Sequence, residues 1–189
     1  MSATETALLH YRLDASRSRF TVQVFAEGLL SVFGHNPVIA VRGFGGDVKF
    51  MPGTLESASL LMLVRTDSLA VASDVSRKDR QEIESKMLRE VLEIARYPEI
   101  VYMSTRVTPR RINERRYQIR INGQLSLHGV AREFPINANV SVGDGGLRAR
   151  GQFTLRQSDY NIKPVSVAAG TLKVKNELKL SFDIIASEQ

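Results

Sequence analysis

The arrangement of hydrophobic and polar positions in residues 57–97 sets the first expectation for the fold. Residues 57–66 alternate in the manner of a β-strand, but both faces of that strand are apolar. One register carries Ala58, Leu60, Met62 and Val64, and the other carries Leu61 and Leu63. A strand with one face in water shows one polar register. We therefore expect a helix to cover one side of this strand and a core or a cavity to lie on the other.

The next segment, residues 77–96, has the periodicity of a long amphipathic helix. Its apolar stripe consists of Ile83, Met87, Leu88, Val91, Leu92 and Ala95. Ser76 and Asp79 resemble a capping box at its start. Pro98 disfavours helical backbone at Tyr97 and so marks its end. This helix is the element that we expect to cover the strand at residues 57–66.

Alternating or short apolar segments predict further strands over most of the chain. They are residues 9–14, 19–26, 38–41, 47–50, 99–107, 115–128, 132–142, 147–155 and 173–185. Residues 28–33 have room for one helical turn, and Gly43, Gly45 and Gly46 suit a bend or a bulge in a curved strand. About eight or nine strands with one helix predict an all-β dominated single domain over residues 1–189, built as an antiparallel barrel or sandwich.

Composition narrows the classes of function. The chain has 189 residues and no cysteine, so disulfides and thiolate metal sites are excluded. It has no apolar run of the ~20 residues that a membrane-spanning helix needs, so we expect no transmembrane segment. Residues 1–10 lack the basic and apolar regions of a signal peptide. We expect a cytoplasmic protein, or a periplasmic one if a leader was removed.

The chain is basic, with a formal net charge of +6, which favours anionic partners in general. Its densest basic segment contains Arg106, Arg110, Arg111, Arg115, Arg116 and Arg120. A hairpin loop between two strands accounts for this segment, and an anion-binding rim is the alternative. Stacking of nucleic-acid bases would need aromatic residues among the arginines. Only Tyr117 is near and the chain has no tryptophan, so we expect no nucleic-acid partner.

Residues suited to catalysis or metal binding do not form a recognisable set. His10, His35 and His128 lie far apart and lack the spacing of a metal-binding pair. No G-x-S-x-G nucleophile motif occurs, and the glycines at 43, 45 and 46 lack the spacing of a dinucleotide fingerprint. We therefore expect no catalytic residue, no metal and no cofactor, and a protein that is not an enzyme.

The remaining signal is a set of apolar positions on one register of several predicted strands. They are Phe20, Val22, Val24, Leu60, Met62, Val64, Ile119, Ile121, Leu178, Leu180 and Phe182. The interior of an eight-stranded barrel can be filled by side chains or can hold one small ligand. Alternation leaves both interpretations open: a fully packed core, or an apolar pocket.

Four short segments resemble the YceI-like family in sequence and order, and the resemblance spans about residues 11–186. Residues 14–18, DASRS, stand where the family often has D-P-x-H-S, and residues 97–105, YPEIVYMST, resemble its Y-P-x-I-x-F-x-S-T segment. Residues 123–131, GQLSLHGVA, are similar to its G-x-L-T-x-x-G-V-T turn, and residues 157–162, QSDYNI, to its S-D-F-G-I stretch. Ala15 and Arg17 replace the family's proline and histidine, so no role of that histidine transfers to this chain.

The resemblance implies a bacterial, lipocalin-like barrel of about eight strands that binds, stores or transports a long-chain amphiphile, such as a polyisoprenoid or a fatty acid. The eleven apolar residues above would line its cavity, and the resemblance also allows a homodimer. Candidates to bind a charged head group lie at or near strand ends and are Arg42, Arg65, Arg156 and Lys163. The alternatives are a packed barrel that acts as an interaction or stress-related structural module, and an enzyme of unrecognised chemistry.

Overall fold

The computed structural model describes residues 8–27, 36–51, 54–143, 145–167 and 172–189. The helical turn predicted at residues 28–33 lies outside the described residues. In chain order the strands are β1 (Leu9–Gln23), β2 (Ala26–Glu27), β3 (Val38–Val41), β4 (Phe44–Met51), β5 (Thr54–Arg65), β6 (Leu69–Val71), β7 (Glu99–Asn113), β8 (Arg116–Leu127), β9 (Val130–Glu133), β10 (Ile136–Gly143), β11 (Gly146–Arg156), β12 (Ser166–Val167), β13 (Leu172–Val174) and β14 (Glu177–Glu188). The helical elements are α1 (Arg77–Lys86), a π-helical turn (Met87–Val91) and 3-10 turns at Thr66–Ser68 and Gln157–Tyr160.

Eight of these strands form a closed antiparallel barrel. Their order is β14-β11-β10-β8-β7-β5-β4-β1, and β1 pairs with β14 to complete the ring. β3 and β6 continue the sheet beside the second half of β1, β9 pairs with β8, and β12, β13 and β2 form a separate small sheet. The antiparallel barrel predicted from the alternation and from the family resemblance is confirmed.

Strand β1 is one bent strand rather than the two separate strands predicted there. Its ladder with β14 shifts register between Asp14 and Arg19, which is the position of the segment DASRS. The Asp14 carboxylate accepts hydrogen bonds from the backbone N–H and the hydroxyl of Ser16, and the Ser18 hydroxyl donates to the Asp14 carbonyl. The shift lets the first half of β1 pair with β4 and the second half pair with β3.

The helix begins at Arg77 as predicted, but it ends at Val91, before the predicted boundary at residue 96. The Ser76 side chain accepts a hydrogen bond from the N–H of Asp79, so the predicted cap is present. Glu93 has a φ of 45°, in the left-handed region that a right-handed helix does not include. This residue therefore prevents the helix from continuing to residue 96.

The helix packs against one end of the barrel, beside β3 and β6. Its apolar side chains contact the core that contains Ile39, Val41 and Val71. Two of its polar side chains bind the outer edge of β6: Glu84 accepts a hydrogen bond from the N–H of Val71 at 2.8 Å, and Arg80 donates to the Val71 carbonyl. Within the described part of the chain, no helix is long and apolar enough to pass through a bilayer.

The outer face of β5 is left uncovered, so the prediction that the helix covers this strand is wrong. Leu61 and Leu63 are 37% and 40% exposed, and Met103, the register partner of Leu61 on β7, is 52% exposed. We call Leu61, Leu63 and Met103 the outer apolar patch. The helix cannot reach this patch because its hydrogen bonds attach it to the edge of β6.

Gly46, near the start of β4, allows a close approach of two strands, and the predicted bend or bulge is absent from this part of the ladder. The β4–β5 ladder runs without a register shift from Phe44 to Lys49. Gly46 has a φ of 144°, and a Cβ at this position would lie 1.9 Å from the carbonyl oxygen of Leu61. Only glycine fits both constraints.

We expect Gly46→Ala to destabilise the barrel, because the added methyl group meets the backbone of β5 and the backbone conformation is strained for alanine. Urea unfolding should show a loss of about 3 kcal/mol or more in the free energy of unfolding. Gly45→Ala is the matched control, because a Cβ there meets nothing within 4 Å. It should cost about 1 kcal/mol or less, and an equal loss in both variants would contradict the argument.

Candidate functional site

The barrel encloses an apolar cavity of about 220 Å³. All eight barrel strands contribute side chains to its wall, and no charged residue is among those that line it. For comparison, an engineered apolar cavity of about 150 Å³ is large enough to bind benzene. The interior is therefore not filled by the protein's own side chains.

Nine of the eleven apolar residues singled out in the sequence lie on the cavity wall. They are Phe20, Val22, Leu60, Met62, Val64, Ile119, Ile121, Leu180 and Phe182. They come from β1, β5, β8 and β14, whose alternation sends one register inward along the whole strand. The structure thus brings together, in one wall, positions that are up to 162 residues apart in the chain.

Val24 and Leu178 do not line the cavity, so the structure does not place them where alternation predicts. Val24 follows Gln23, the last residue of β1 that pairs with β14, and packs against the core beside the helix. Leu178 lies opposite Leu155 near the end of the barrel and packs against the core that closes that end. Both continue the inward register beyond the length of the cavity.

The four cations predicted to bind a head group also lie outside the cavity. Arg42, Arg65, Arg156 and Lys163 are all exposed and are located at or after strand ends. Arg65 is held by Asp67, with 3.1 Å between its Nε and a carboxylate oxygen. Any contact of these four residues with a ligand would therefore be made outside the barrel wall.

Tyr102, which the sequence analysis did not single out, places a hydroxyl group in the apolar wall. Its Oη lies 3.1 Å from the carbonyl oxygen of Ile121 and 2.9 Å from that of Phe134, so its proton is committed to the backbone. Burial raises the pKa of Tyr102 to about 12, which keeps the hydroxyl neutral. Gly123 makes room for the ring, since a Cβ there would lie 2.6 Å from it.

Strands β10 and β11 supply a part of the wall that sequence reasoning also missed. The residues are Ala138, Val140, Val142, Leu147, Ala149 and Phe153. In β10 the apolar positions alternate with Asn137, Asn139 and Ser141 as regularly as those of β14 alternate with polar residues. That alternation could have identified them.

One end of the barrel is covered by residues that follow the strands. Tyr160 and Ile162 are buried and pack against Leu127. His128 connects this cover to the segment after the helix: its Nδ1 lies 3.2 Å from the Tyr160 carbonyl oxygen. Its Nε2 lies 2.8 Å from a carboxylate oxygen of Glu93, just after the helix. His128 thus links the segment after the helix to the 3-10 turn Gln157–Tyr160 across the barrel end.

Acidic and histidine side chains do not gather into a metal site in the described part of the chain, where no group of three or more could hold an ion. Described residues likewise leave no buried side-chain nitrogen or oxygen without a hydrogen-bond partner. Because the residues that line the cavity are almost all apolar, its wall presents mainly apolar surface to a bound molecule.

The sequence was compared with models of known protein families and with curated proteins. The model of the YceI-like domain family matches residues 11–186. None of the curated proteins compared with the chain gives a significant match.

Solved structures share the fold at low sequence identity. BcnA of Burkholderia cenocepacia is 15% identical with a TM-score of 0.70, over 93% of this chain and 99% of that one. A polyisoprenoid-binding domain from Saccharophagus degradans is 14% identical with a TM-score of 0.66, over 96% and 99%. The YceI protein of Campylobacter jejuni is 12% identical with a TM-score of 0.54, over 80% and 84%.

We expect Tyr102→Phe to lower the free energy of unfolding at pH 7 by about 1–3 kcal/mol, because two buried carbonyl groups lose a donor. The folded-state pKa of about 12 lies above the ordinary value of 10.0, so the unfolded state loses its proton first as the pH rises. Wild type should therefore lose up to about 3 kcal/mol of stability between pH 10 and pH 12 from this residue.

The phenylalanine variant should lack that part of the loss, so urea midpoints of the two proteins should converge as the pH rises above 10. Parallel curves for wild type and variant would show that the Tyr102 hydroxyl is not buried in the wall.

Proposed function

This chain belongs to the family of YceI-like domains, and from that premise we propose that it is a non-enzymatic binder of a long-chain amphiphile. The apolar part of the ligand, a polyisoprenoid, a fatty acid or a similar lipid, would lie in the barrel cavity. The protein would store or carry this ligand through water.

The observation that carries the proposal is the uniform chemistry of the cavity wall. Apolar side chains line it along all eight strands, and no charged residue reaches it. Hydroxyl groups come only from Ser59, Tyr102 and Tyr117 among the residues that line it, and both tyrosine hydroxyls donate to backbone carbonyl groups. A polar substrate would find no partner there and would lose its hydration. A hydrocarbon chain has no hydrogen bonds with water to lose on entering such a cavity, and it gains the burial of its own apolar surface.

Burial of the chain sets the scale of affinity. Each methylene removed from water contributes about 0.8 kcal/mol. Ten buried carbons then give roughly 8 kcal/mol before the costs of association and ordering are subtracted. A short chain would thus bind modestly, and a longer chain would bind more tightly until the cavity is full.

A charged head group would stay outside the barrel, because no cavity-lining residue can compensate a buried charge. The four exposed cations expected to meet it, Arg42, Arg65, Arg156 and Lys163, remain candidates for that role. Arg156 and Lys163 flank the turn Gln157–Tyr160 at the covered end of the barrel. A head group that emerges at this end would lie within reach of arginine or lysine donors.

One of the solved structures that share the fold supports a lipid as the ligand. It is a polyisoprenoid-binding domain, so an isoprenoid is one candidate for the ligand of this chain. Binding and not catalysis is the proposal, since the described residues offer no set of convergent titratable groups at the cavity. The cytoplasmic location and the homodimer expected from the sequence stay predictions and do not enter the proposal.

The first test fills the cavity. Met62→Trp places a larger side chain in the wall, and we expect it to weaken uptake of a fluorescent fatty acid by about tenfold or more, a loss of about 1.4 kcal/mol. Gln152→Trp is the matched control, because Gln152 is exposed on the outer face of β11, and it should bind as wild type does. Circular dichroism and urea unfolding check that both variants are folded. Equal affinities in the two folded variants would show that the ligand binds elsewhere.

A second test varies the ligand. In a series of saturated fatty acids from eight to eighteen carbons, the affinity measured by displacement of the fluorescent probe should rise with each added methylene. The expected rise is about fourfold per carbon, the equivalent of about 0.8 kcal/mol, and it should end in a plateau when the cavity is full. An affinity independent of chain length would contradict binding through the apolar wall.

A further inference from the structure

Most of the arginines in the dense basic segment lie on strands, not in a hairpin loop as expected. Only Glu114 and Arg115 form the turn between β7 and β8. Four of the others point outward and are exposed: Arg106 and Arg110 on β7, with Arg116 and Arg120 on β8. We call these four residues the arginine face.

The net charge of the protein is concentrated in this part of the chain. Residues 101–156 contain ten of its 26 basic residues but only three of its 20 acidic residues. That segment therefore carries a net charge of about +7 and the rest of the chain about −1, counting side chains at neutral pH. This segment supplies β7, β8, β10 and β11, which are neighbours in the barrel, so the excess of basic residues lies in that half of the barrel.

The arginine face is also not neutralised locally. Among the described residues, no carboxylate forms an ion pair with any of its four arginines. The arginines of β11 differ, because Asp183 lies 2.6 Å from Arg148 and 3.0 Å from Arg150. The hydrogen bond from Arg148 lowers the pKa of Asp183, so this carboxylate stays charged and offsets its two partners.

The outer apolar patch adjoins the arginine face. Met103 of the patch and Arg106 of the face lie on the outer side of the same strand, β7, and the patch continues to Leu61 on β5. At the other end of β7, Ile112 is 51% exposed. Exposed aliphatic side chains and unpaired arginines thus form one continuous surface over β5, β7 and β8.

We infer that this surface docks on an anionic lipid bilayer. The arginines match lipid phosphates in charge and in hydrogen-bonding geometry, and the aliphatic side chains can enter the boundary between head groups and acyl chains. The attraction acts over a Debye length of about 8 Å at physiological ionic strength. The surface of β5, β7 and β8 is therefore the side of the barrel that faces the bilayer.

A nucleic acid fits this surface less well, although it also carries phosphates. It would leave the outer apolar patch in water, and unpaired bases would find no aromatic side chain to stack on. Tyr117, the aromatic residue within the basic segment, lines the cavity instead. The aliphatic part of the surface is what favours the bilayer.

The inference goes beyond the proposed function and does not depend on it, because docking uses the outside of the barrel and needs no ligand in the cavity. The two can fail separately. Met62→Trp, which blocks the cavity, should bind vesicles as wild type does.

The experiment uses the ligand-free full chain and co-sedimentation with vesicles of phosphatidylcholine alone or with about 30% phosphatidylglycerol. Wild type should bind the anionic vesicles and not the neutral ones, and binding should fall as sodium chloride rises from 0.1 M to 0.5 M. Arg110→Gln combined with Arg120→Gln should weaken binding by about tenfold or more. The control with the same change in net charge, Arg148→Gln combined with Arg150→Gln, should weaken it by about threefold or less.

Insertion of the apolar patch has its own readout, because the chain contains no tryptophan. In Leu63→Trp the new side chain is the sole tryptophan, and its emission should shift to shorter wavelength when anionic vesicles are added. In Gln152→Trp, on the outer face of β11, the emission should not move. Urea unfolding without vesicles checks that each variant is folded.

Equal weakening by the two arginine pairs, or an unshifted Leu63→Trp emission on vesicles that the protein does bind, would overturn the proposed surface. So would a failure of folded wild type to bind anionic vesicles. A single-stranded DNA of mixed sequence serves as the competing polyanion. Tighter binding to this DNA than to the vesicles, measured by fluorescence anisotropy, would replace the bilayer with a nucleic acid as the partner.

Discussion

Pairing of the first long strand with the last one is the constraint on which the rest of the structure depends. The β1–β14 ladder runs from Tyr11 opposite Glu188 to Gln23 opposite Lys179, so it joins the two ends of the chain. Without it, both strands would expose unpaired backbone groups along an edge. Closure satisfies those groups and turns one face of the sheet into an enclosed interior. Every later distinction between inside and outside follows from this ladder.

The cavity and the basic outer surface are two results of the same closure. Inward positions meet across the barrel, and where alanines such as Ala58, Ala138 and Ala149 stand among them, the side chains are too small to fill the space. Outward positions of the same strands gather arginines whose neighbours along the ladder are uncharged. The cavity proposed to hold a lipid and the surface proposed to dock on a bilayer thus occupy opposite faces of β5, β7 and β8. Exchange of a lipid between a membrane and the cavity would use both.

Alternation along individual strands was sufficient to place nine of eleven chosen residues in the cavity wall. It placed Met62 and Leu180 inward because the side-chain period of a strand is two, whatever the partner strand is. It failed for Val24 and Leu178, because the pattern does not show where a cavity ends and a packed end core begins. It also passed over Tyr102, whose role depends on two carbonyl groups from β8 and from the segment after β9. A hydrogen bond between distant segments leaves no periodic mark in the sequence.

The sequence by itself determined the strand-rich architecture, the start of the helix at its serine cap and the inward register of most strands, because these depend on local periodicity and on capping chemistry. Only the tertiary structure decided where the helix docks and therefore that Leu61 and Leu63 remain exposed. The amphipathic pattern of a helix shows that one stripe needs an apolar partner, and any of several apolar surfaces would serve. The choice was made by Glu84 and Arg80, whose hydrogen bonds to Val71 hold the helix at the edge of β6. That edge exists only after the barrel has closed.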